Sequence, residues 1–443
     1  VARLAVAVDQ EYGFPQDIEW AFADGTLWLL QARAITSLYE LPQDVNTPDE
    51  LGMWASFGSF QGMLDPITPI GQDAIFLLMR GIYRLVGAPL SRDTTLASSR
   101  IVRLAGQRLW IRLDLAYRTG FGHRLVPGMF GMADPATGEL VASLDEPRWE
   151  PQGGLSKGAA RRLGGLARKL LPGVLRSFRD PVAVRNRLER ECETLVSDTA
   201  DRLRHASAVP GAEARLAARI AAIHTSLESA FPVLLTHFGP IMPVGVGGMA
   251  ALRRLGGPEA LEAFRSLDGN VTTEMDLALW SAAERIRGDV EACDAVLGRP
   301  ADEVAAAYLV GALPVVAQRA LGEFLEQYGM RGVGEIDLGR PRWSDDPASA
   351  IASLQAYVGL PADAPGPAVE FERGKEVAAA ATQRLVEKLE GSGPRGRLQA
   401  VVAKRLIKTI RGDFGARETP KFTLIRMFGM VREALLESGR DLV

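Results

Sequence analysis

Beyond Thr36, apolar residues recur three and four positions apart in one stretch after another. That spacing gathers them on one face of a helix, whereas a strand would scatter them over both faces. Leu216, Ile220, Ile223, Leu227 and Phe231 form one such stripe, and Trp280, Ala283, Ile286, Val290, Cys293 and Leu297 form another. Helix punctuation agrees with the period. Thr68 offers a capping hydroxyl and Pro69 a residue that needs no amide partner in the first turn, which predicts a helix from there to Gly87. Thr273 with Asp276 three residues on predicts another start. Gly311 and Pro314 predict a break or kink in the apolar helix around Tyr308–Leu325, which should end at Gly329. With no fixed-period repeat and no heptad run, the expected fold class is mainly α: an irregular multi-helix domain over residues 37–443, preceded by a β-hairpin.

The hairpin comes from the first thirty-six residues. Asp17–Ala23 and Thr26–Ile35 are apolar and aromatic runs separated by Asp24-Gly25, a strong hairpin signal. Polar side chains break the runs at Glu19, Gln31 and Arg33. Because strand side chains alternate faces, a one-residue change in register decides whether these three can cooperate. A two-residue loop would separate Glu19 from Gln31; a three-residue loop with Gly25 left-handed in a bulge puts all three on one face, and this is the favoured reading. A carboxylate, an amide and a guanidinium together suit a metal-bound polyphosphate, since magnesium takes hard oxygen ligands and arginine grips phosphate as a fork. A solvated hairpin face accounts for the same residues equally well.

Composition narrows the remaining classes. With 443 residues and 47% hydrophobic content there is room for two or three domains with full cores. A net charge of -3 points to neither nucleic acid nor an anionic membrane as partner. Residues 157–190 are basic, yet lack the stacking aromatics of a nucleic-acid surface, and read as solvated helix faces or a docking face. Cys192 and Cys293 fit no metal or redox spacing, which suggests a reducing, cytoplasmic setting, and Cys293 reads as core. The uncharged run Ser229–Leu252 is too interrupted by proline and glycine for a membrane span. Its irregular Gly- and Pro-rich part, HFGPIMPVGVGGM, reads either as a buried connection or as the wall of an apolar pocket, with His237 as a donor. The glycine strings match no phosphate loop, and Asn270-Val271-Thr272 is dismissed as a glycosylation acceptor. Arg331, Glu335 and Asp337 in GMRGVGEID read as an ion-pair cluster fixing a turn, with a domain-docking face as the other reading.

Two sets of strings resemble known families. QDIEWAF followed by LWLLQAR resembles the end of the ATP-grasp domain of the phosphoenolpyruvate synthase and pyruvate phosphate dikinase group. The resemblance implies that residues 1–36 are the C-terminal part of such a domain, and that Glu19, Gln31 and Arg33 contact ATP, with Glu19 also on its magnesium. FGSFQGMLDPITPIG, GNVTTEMDLALW, FLEQYGMRGVGEIDLGRPRWSDDP and RETPKFTLIRMFGMVREALLE are similar to successive motifs of the acceptor-binding middle domain of the rifampin phosphotransferase family. In such enzymes ATP is split while a phosphoryl group passes through a histidine to a hydroxyl of the antibiotic. None of His123, His205, His224 and His237 lies in a phosphohistidine string such as GG-x-x-[ST]-H. The catalytic histidine is therefore expected on a domain outside this chain, as is most of the ATP-grasp domain. The chain alone is expected to be inactive and to bind no cofactor tightly.

A macrocyclic acceptor wants a broad apolar lining with a few polar clamps. Gln61, Arg417 and Lys421 are the polar candidates, the two cations facing the acceptor's acidic naphthol oxygens. Met63, Phe238 and Met242, with Phe60, Met79 and Met249, are the apolar ones, methionine adapting to irregular ligands. Two other functions fit the strings: part of a phosphoenolpyruvate synthase-like enzyme acting on pyruvate or another small acceptor, and a non-catalytic small-molecule-binding module.

Overall fold

The computed structural model describes residues 1–14, 16–35, 52–58, 65–85, 90–144 apart from 92, 97, 100 and 134, residue 150, and residues 157–361 and 364–442. The chain divides into two compact units. One gathers residues 1–66, 96–118 and 122–150; the other gathers 67–95, 119–121 and 151–443.

In the first unit, helix α1 (Ala2–Tyr12) is stopped by Gly13 in the left-handed conformation and followed by strands β1 (Gln16–Ala23) and β2 (Thr26–Ala34). Their register corrects the expected loop. Ala23 pairs with Thr26, so the loop is Asp24-Gly25 alone, with φ of 49° and 73°. Those angles suit a turn whose twist matches the strands. The extra residue lies inside the ladder instead, where pairing steps from Trp20 with Leu29 to Glu19 with Gln31 and leaves Leu30 as a bulge. The bulge restores the parity that the loop was expected to supply. A second sheet, in the order β3-β5-β4, is built from β3 (Trp54–Ser56), β4 (Val102–Ala105) and β5 (Arg108–Arg112), all antiparallel. Helices α3 (Asp114–Tyr117), α4 (Gly120–Ala133) and α5 (Pro135–Ala142) follow. Tyr117, Val126 and Val141 form a small core there, with the Tyr117 hydroxyl donating to the Val141 carbonyl at 2.8 Å.

The second unit is helical, and opens with α2 (Pro69–Leu85). Thr68 caps it as predicted: the Gly71 amide donates to its hydroxyl oxygen, while its own amide and hydroxyl donate to the buried Asp337 carboxylate. Long helices α6 (Lys157–Arg179), α7 (Pro181–Ser207), α8 (Ala212–Phe238) and α9 (Ile241–Gly256) come next. The stretch 237–249, expected to be irregular, is helical on either side of a 44° bend between α8 and α9. No single helix among the described residues is long and apolar enough to cross a membrane. Gly245, Gly248 and Gly256 of α9 serve packing. A Cβ at Gly245 would fall 2.1 Å from the Phe414 ring, and one at Gly248 would fall 2.9 Å from Ile410. Glycine there lets α9 approach α16 (Gly393–Asp413) and the 3-10 turn Phe414–Glu418 closely.

Helices α10 (Val271–Arg287), α11 (Val290–Leu297), α12 (Ala301–Leu309), α13 (Val315–Tyr328) and α14 (Ala348–Val358) build a second core around Ile286, Leu321 and Ile351. The stripe from Trp280 to Leu297 is not one helix. It breaks at Gly288, Asp289 caps α11, and Val290 is 78% exposed. Cys293 is half-buried against this core. The cap of α10 is Asn270, not Thr273: its side-chain oxygen accepts from the Thr272 and Thr273 amides at 3.0 and 3.1 Å. Asn270→Ala is expected to cost about 1 kcal/mol, read as a lower urea midpoint with an unchanged slope. The break at Gly311 and Pro314 stands as predicted, and α13 gives way to Gly329. Helices α15 (Pro367–Glu390) and α17 (Thr419–Leu442) complete the unit. The larger core, centred on Leu188, Leu227, Ile410 and Phe428, is formed mainly by α7, α8, α9, α16 and α17. At the far end of α8, the stripe loosens. Ile220 is exposed, and buried Arg219 takes the inward position, donating to Glu437, Ser438 and Asp441 of α17.

Candidate functional site

Within the second unit, an open cleft of about 540 Å³ lies where the two cores meet. The start of α10 supplies Asn270, Thr272, Thr273, Met275 and Asp276, the turn after α13 supplies Arg331, and the 3-10 turn and first turn of α17 supply Arg417, Glu418 and Lys421. Arg417 and Lys421, named from the sequence as polar clamps, are thus brought together. Pro420 does not keep them apart, because it stands in the first turn of α17, where proline lacks nothing that the helix needs. Arg417 lies over the ring of Phe414, which is itself buried against Gly245. Packing of α9 therefore reaches the cleft through one aromatic ring.

The cleft's charges are paired but not exhausted. Arg331 donates Nε to Glu335 Oε2 at 2.7 Å and Nη2 to Glu335 Oε1 at 3.1 Å. Lys421 Nζ is 3.4 Å from Glu335 Oε1, and Arg417 Nε is 3.8 Å from Glu418 Oε1. Asp276 accepts from the Tyr357 hydroxyl, and burial together with that carboxylate pushes the Tyr357 phenol up to about 12. Lys421 and Arg417 are each 39% exposed, so they keep N–H groups for a ligand. Arrayed this way, two cations on one wall and amide and hydroxyl groups on the other can grip acidic or phenolate oxygens.

The other sequence candidates lie elsewhere. Gln61 and Met63, with Phe60, fall outside the described residues. Phe238 and Met242 pack, half-buried, against the larger core, as does Met249, and none lines this cleft. His237, whose imidazole is pulled below its ordinary range chiefly by burial, lies 3.9 Å from Glu191 and also away from the cleft. The GMRGVGEID cluster is the expected ion-pair turn. Asp337 is fully buried on Thr68, and Arg342 donates to the Glu335 and Asp337 carbonyls at 2.6 and 3.3 Å. Yet Arg331 of that cluster also faces the cleft, a role the sequence reading did not give it.

In the first unit, Glu19, Gln31 and Arg33 share one exposed hairpin face. Arg33 Nη2 donates to Gln31 Oε1 at 2.6 Å and lies 3.7 Å from Glu19. One carboxylate and one amide oxygen would make up only a fraction of the oxygen ligands magnesium takes, and no cluster of three or more His, Cys, Asp or Glu able to hold a metal exists among the described residues.

Residues 237–418 match the family model for the rifampicin phosphotransferase fourth domain, which takes in most of the cleft. Residues 1–50 match the model for the pyruvate phosphate dikinase AMP/ATP-binding domain. The whole chain aligns with rifampicin phosphotransferases of Streptomyces sviceus, at 27% identity, and Bacillus subtilis, at 26%, covering 47% and 48% of those proteins. Over 42 residues, 9% of the chain, it is 48% identical to the phosphoenolpyruvate synthase of Pyrococcus furiosus, covering 5% of that protein. The chain spans about half the length of the rifampicin phosphotransferases it matches.

Proposed function

From its kinship along the whole chain with the rifampicin phosphotransferase family, we propose that this chain is the acceptor-binding part of a dikinase-type phosphotransferase that phosphorylates rifamycin antibiotics. Residues 1–36 would complete an ATP-grasp domain and residues 37–443 would hold the acceptor, with the phosphohistidine on a domain elsewhere in the same cytoplasmic protein.

The observation that carries the reading is the meeting of Arg417 and Lys421 at one cleft. A volume near 540 Å³ lies within the range for drug-sized ligands and far exceeds what pyruvate fills. The cations would draw the acceptor's acidic oxygens to one wall and so hold the macrocycle in one orientation. Its hydroxyl could then meet an incoming phosphohistidine. At the hairpin, Glu19 and Gln31 would offer oxygens to magnesium, and Arg33 would give up its contact with Gln31 to hold a phosphate. Magnesium-bound ATP supplies the phosphoryl group; these three side chains bind and orient it.

Titration calorimetry with rifampicin tests the reading. Micromolar binding that weakens about tenfold in Arg417→Ala is expected, the loss of one charge-assisted contact. Heat with pyruvate or phosphoenolpyruvate and none with rifampicin would favour the synthase-like enzyme instead.

A further inference from the structure

One buried carboxylate holds two of the three cleft cations. Glu335 is 7% exposed. Both of its oxygens accept from Arg331, at 2.7 and 3.1 Å, and Oε1 also meets Lys421 Nζ at 3.4 Å. Arg331 and Glu335 belong to the turn after α13, whereas Lys421 comes from the first turn of α17. The bridge therefore ties the wall built on one core to the wall built on the other. Glu335 is itself anchored from behind. Arg342, 2% exposed, donates to its main-chain carbonyl at 2.6 Å, and the neighbouring Asp337 is held by Thr68.

We propose that Glu335 is a positioning residue for the acceptor, acting through Lys421; the proposal rests on the reading of the cleft as the acceptor site. A lysine carries a compact charge on a long flexible stem, and fixing that stem costs rotamer freedom whenever a ligand binds. A bidentate pair with Arg331 fixes the plane of the Glu335 carboxylate. Lys421 then rests one donor on a stationary oxygen and keeps its other two for the acceptor. Glu335 also separates two like charges that would otherwise repel across the cleft. Removing it frees Lys421 to swing into solvent before the acceptor arrives, so that binding itself must immobilise the side chain.

A double-mutant cycle tells this role from a merely structural one. Rifampicin is titrated into the 443-residue chain as wild type, Glu335→Gln, Lys421→Met and the double variant, with Arg417→Ala alongside. Each single change at the bridge is expected to weaken binding about tenfold, with the double variant no weaker than Lys421→Met alone. Losses that multiply would overturn the proposal, since Glu335 would then act independently of Lys421. Wild-type affinity in Glu335→Gln would overturn it too. If Arg417→Ala still weakens binding in that case, the acceptor reading survives without it; if Arg417→Ala and Lys421→Met also bind as wild type, the acceptor reading falls as well. Should Glu335→Gln fail to fold, Glu335→Asp replaces it in the cycle. Its charge is kept but its reach is one methylene shorter, and the same non-additive loss is expected; unchanged affinity would overturn the proposal.

Discussion

Gly415→Ala is expected to lower the unfolding free energy by about 3 kcal/mol and, on the proposed reading of the cleft, to weaken rifampicin binding in the same variant. The added methyl is small, but its surroundings leave it nowhere to go. A Cβ at Gly415 would fall 1.9 Å from the Asp268 carbonyl oxygen and 2.9 Å from that carbonyl carbon. Both atoms belong to backbone, so no side-chain rotation relieves the clash, and the two segments must move apart. One of them leads straight into Asn270, the cap of α10; the other carries Arg417. Their close approach is what sets opposite walls of the cleft at their present spacing. Unfolding in urea, followed by circular dichroism, measures the first effect and calorimetric titration of the remaining folded protein measures the second. A variant with the wild-type midpoint would mean that the two segments do not touch as described.

How much of this was legible in advance depended on whether the governing physics was local. The α2 cap at Thr68 and the break at Gly311 and Pro314 are set by residues within one turn of themselves, and both were readable. Asn270 was harder, because Thr273 three residues later offers the same capping chemistry, and only the backbone angles decide between them. The stripe from Trp280 to Leu297 kept a helical period across Gly288, so periodicity alone joined two helices that Asp289 separates. At the hairpin, Glu19, Gln31 and Arg33 do share a face, but through a bulge at Leu30 that no turn rule for Asp24-Gly25 could locate.

At the cleft, Arg417 and Lys421 were found from their place in a motif string. Arg331 was assigned with Glu335 and Asp337 to an ion-pair cluster fixing a charge-dense turn, a local pattern that hid its place at the cleft. The glycines of α9 misled for the opposite reason. Their run looked like open, irregular backbone, yet at Gly245, Gly248 and Gly256 the place of the missing side chain is taken by Phe414, Ile410 and Leu385, from elements more than a hundred residues distant. Contacts of that kind leave no trace in a window of sequence.

Asp413→Asn is expected to remove a component of stability that falls as pH rises, and to stabilise the chain above pH 7 by about 2 kcal/mol. Asp413 closes α16 and is fully buried. One of its oxygens accepts from the Ser177 hydroxyl of α6, and the other has no hydrogen-bond partner. Burial raises its carboxyl from the ordinary range to about 7; the Ser177 hydrogen bond and the nearby Arg185 charge pull it back only in part. An unfolded aspartate titrates near 4. Between that value and about 7 the folded chain holds a proton that the unfolded chain has released. The contribution is thus fully present below about pH 4 and is lost as pH rises through about 7. At about 1.4 kcal/mol per unit, the full swing is about 4 kcal/mol. The amide should recover less than that, because it brings N–H groups that need acceptors of their own. Other carboxylates run the opposite way: Arg215 holds Asp441 low, and Arg285 holds Glu323 low, so their contributions are lost as pH falls through those lowered values. Subtracting the variant's urea stability from that of the wild type at each pH from 4 to 8 cancels those common terms. The difference should therefore grow more negative across that interval, and a flat difference would mean that Asp413 is ionised in its buried site throughout.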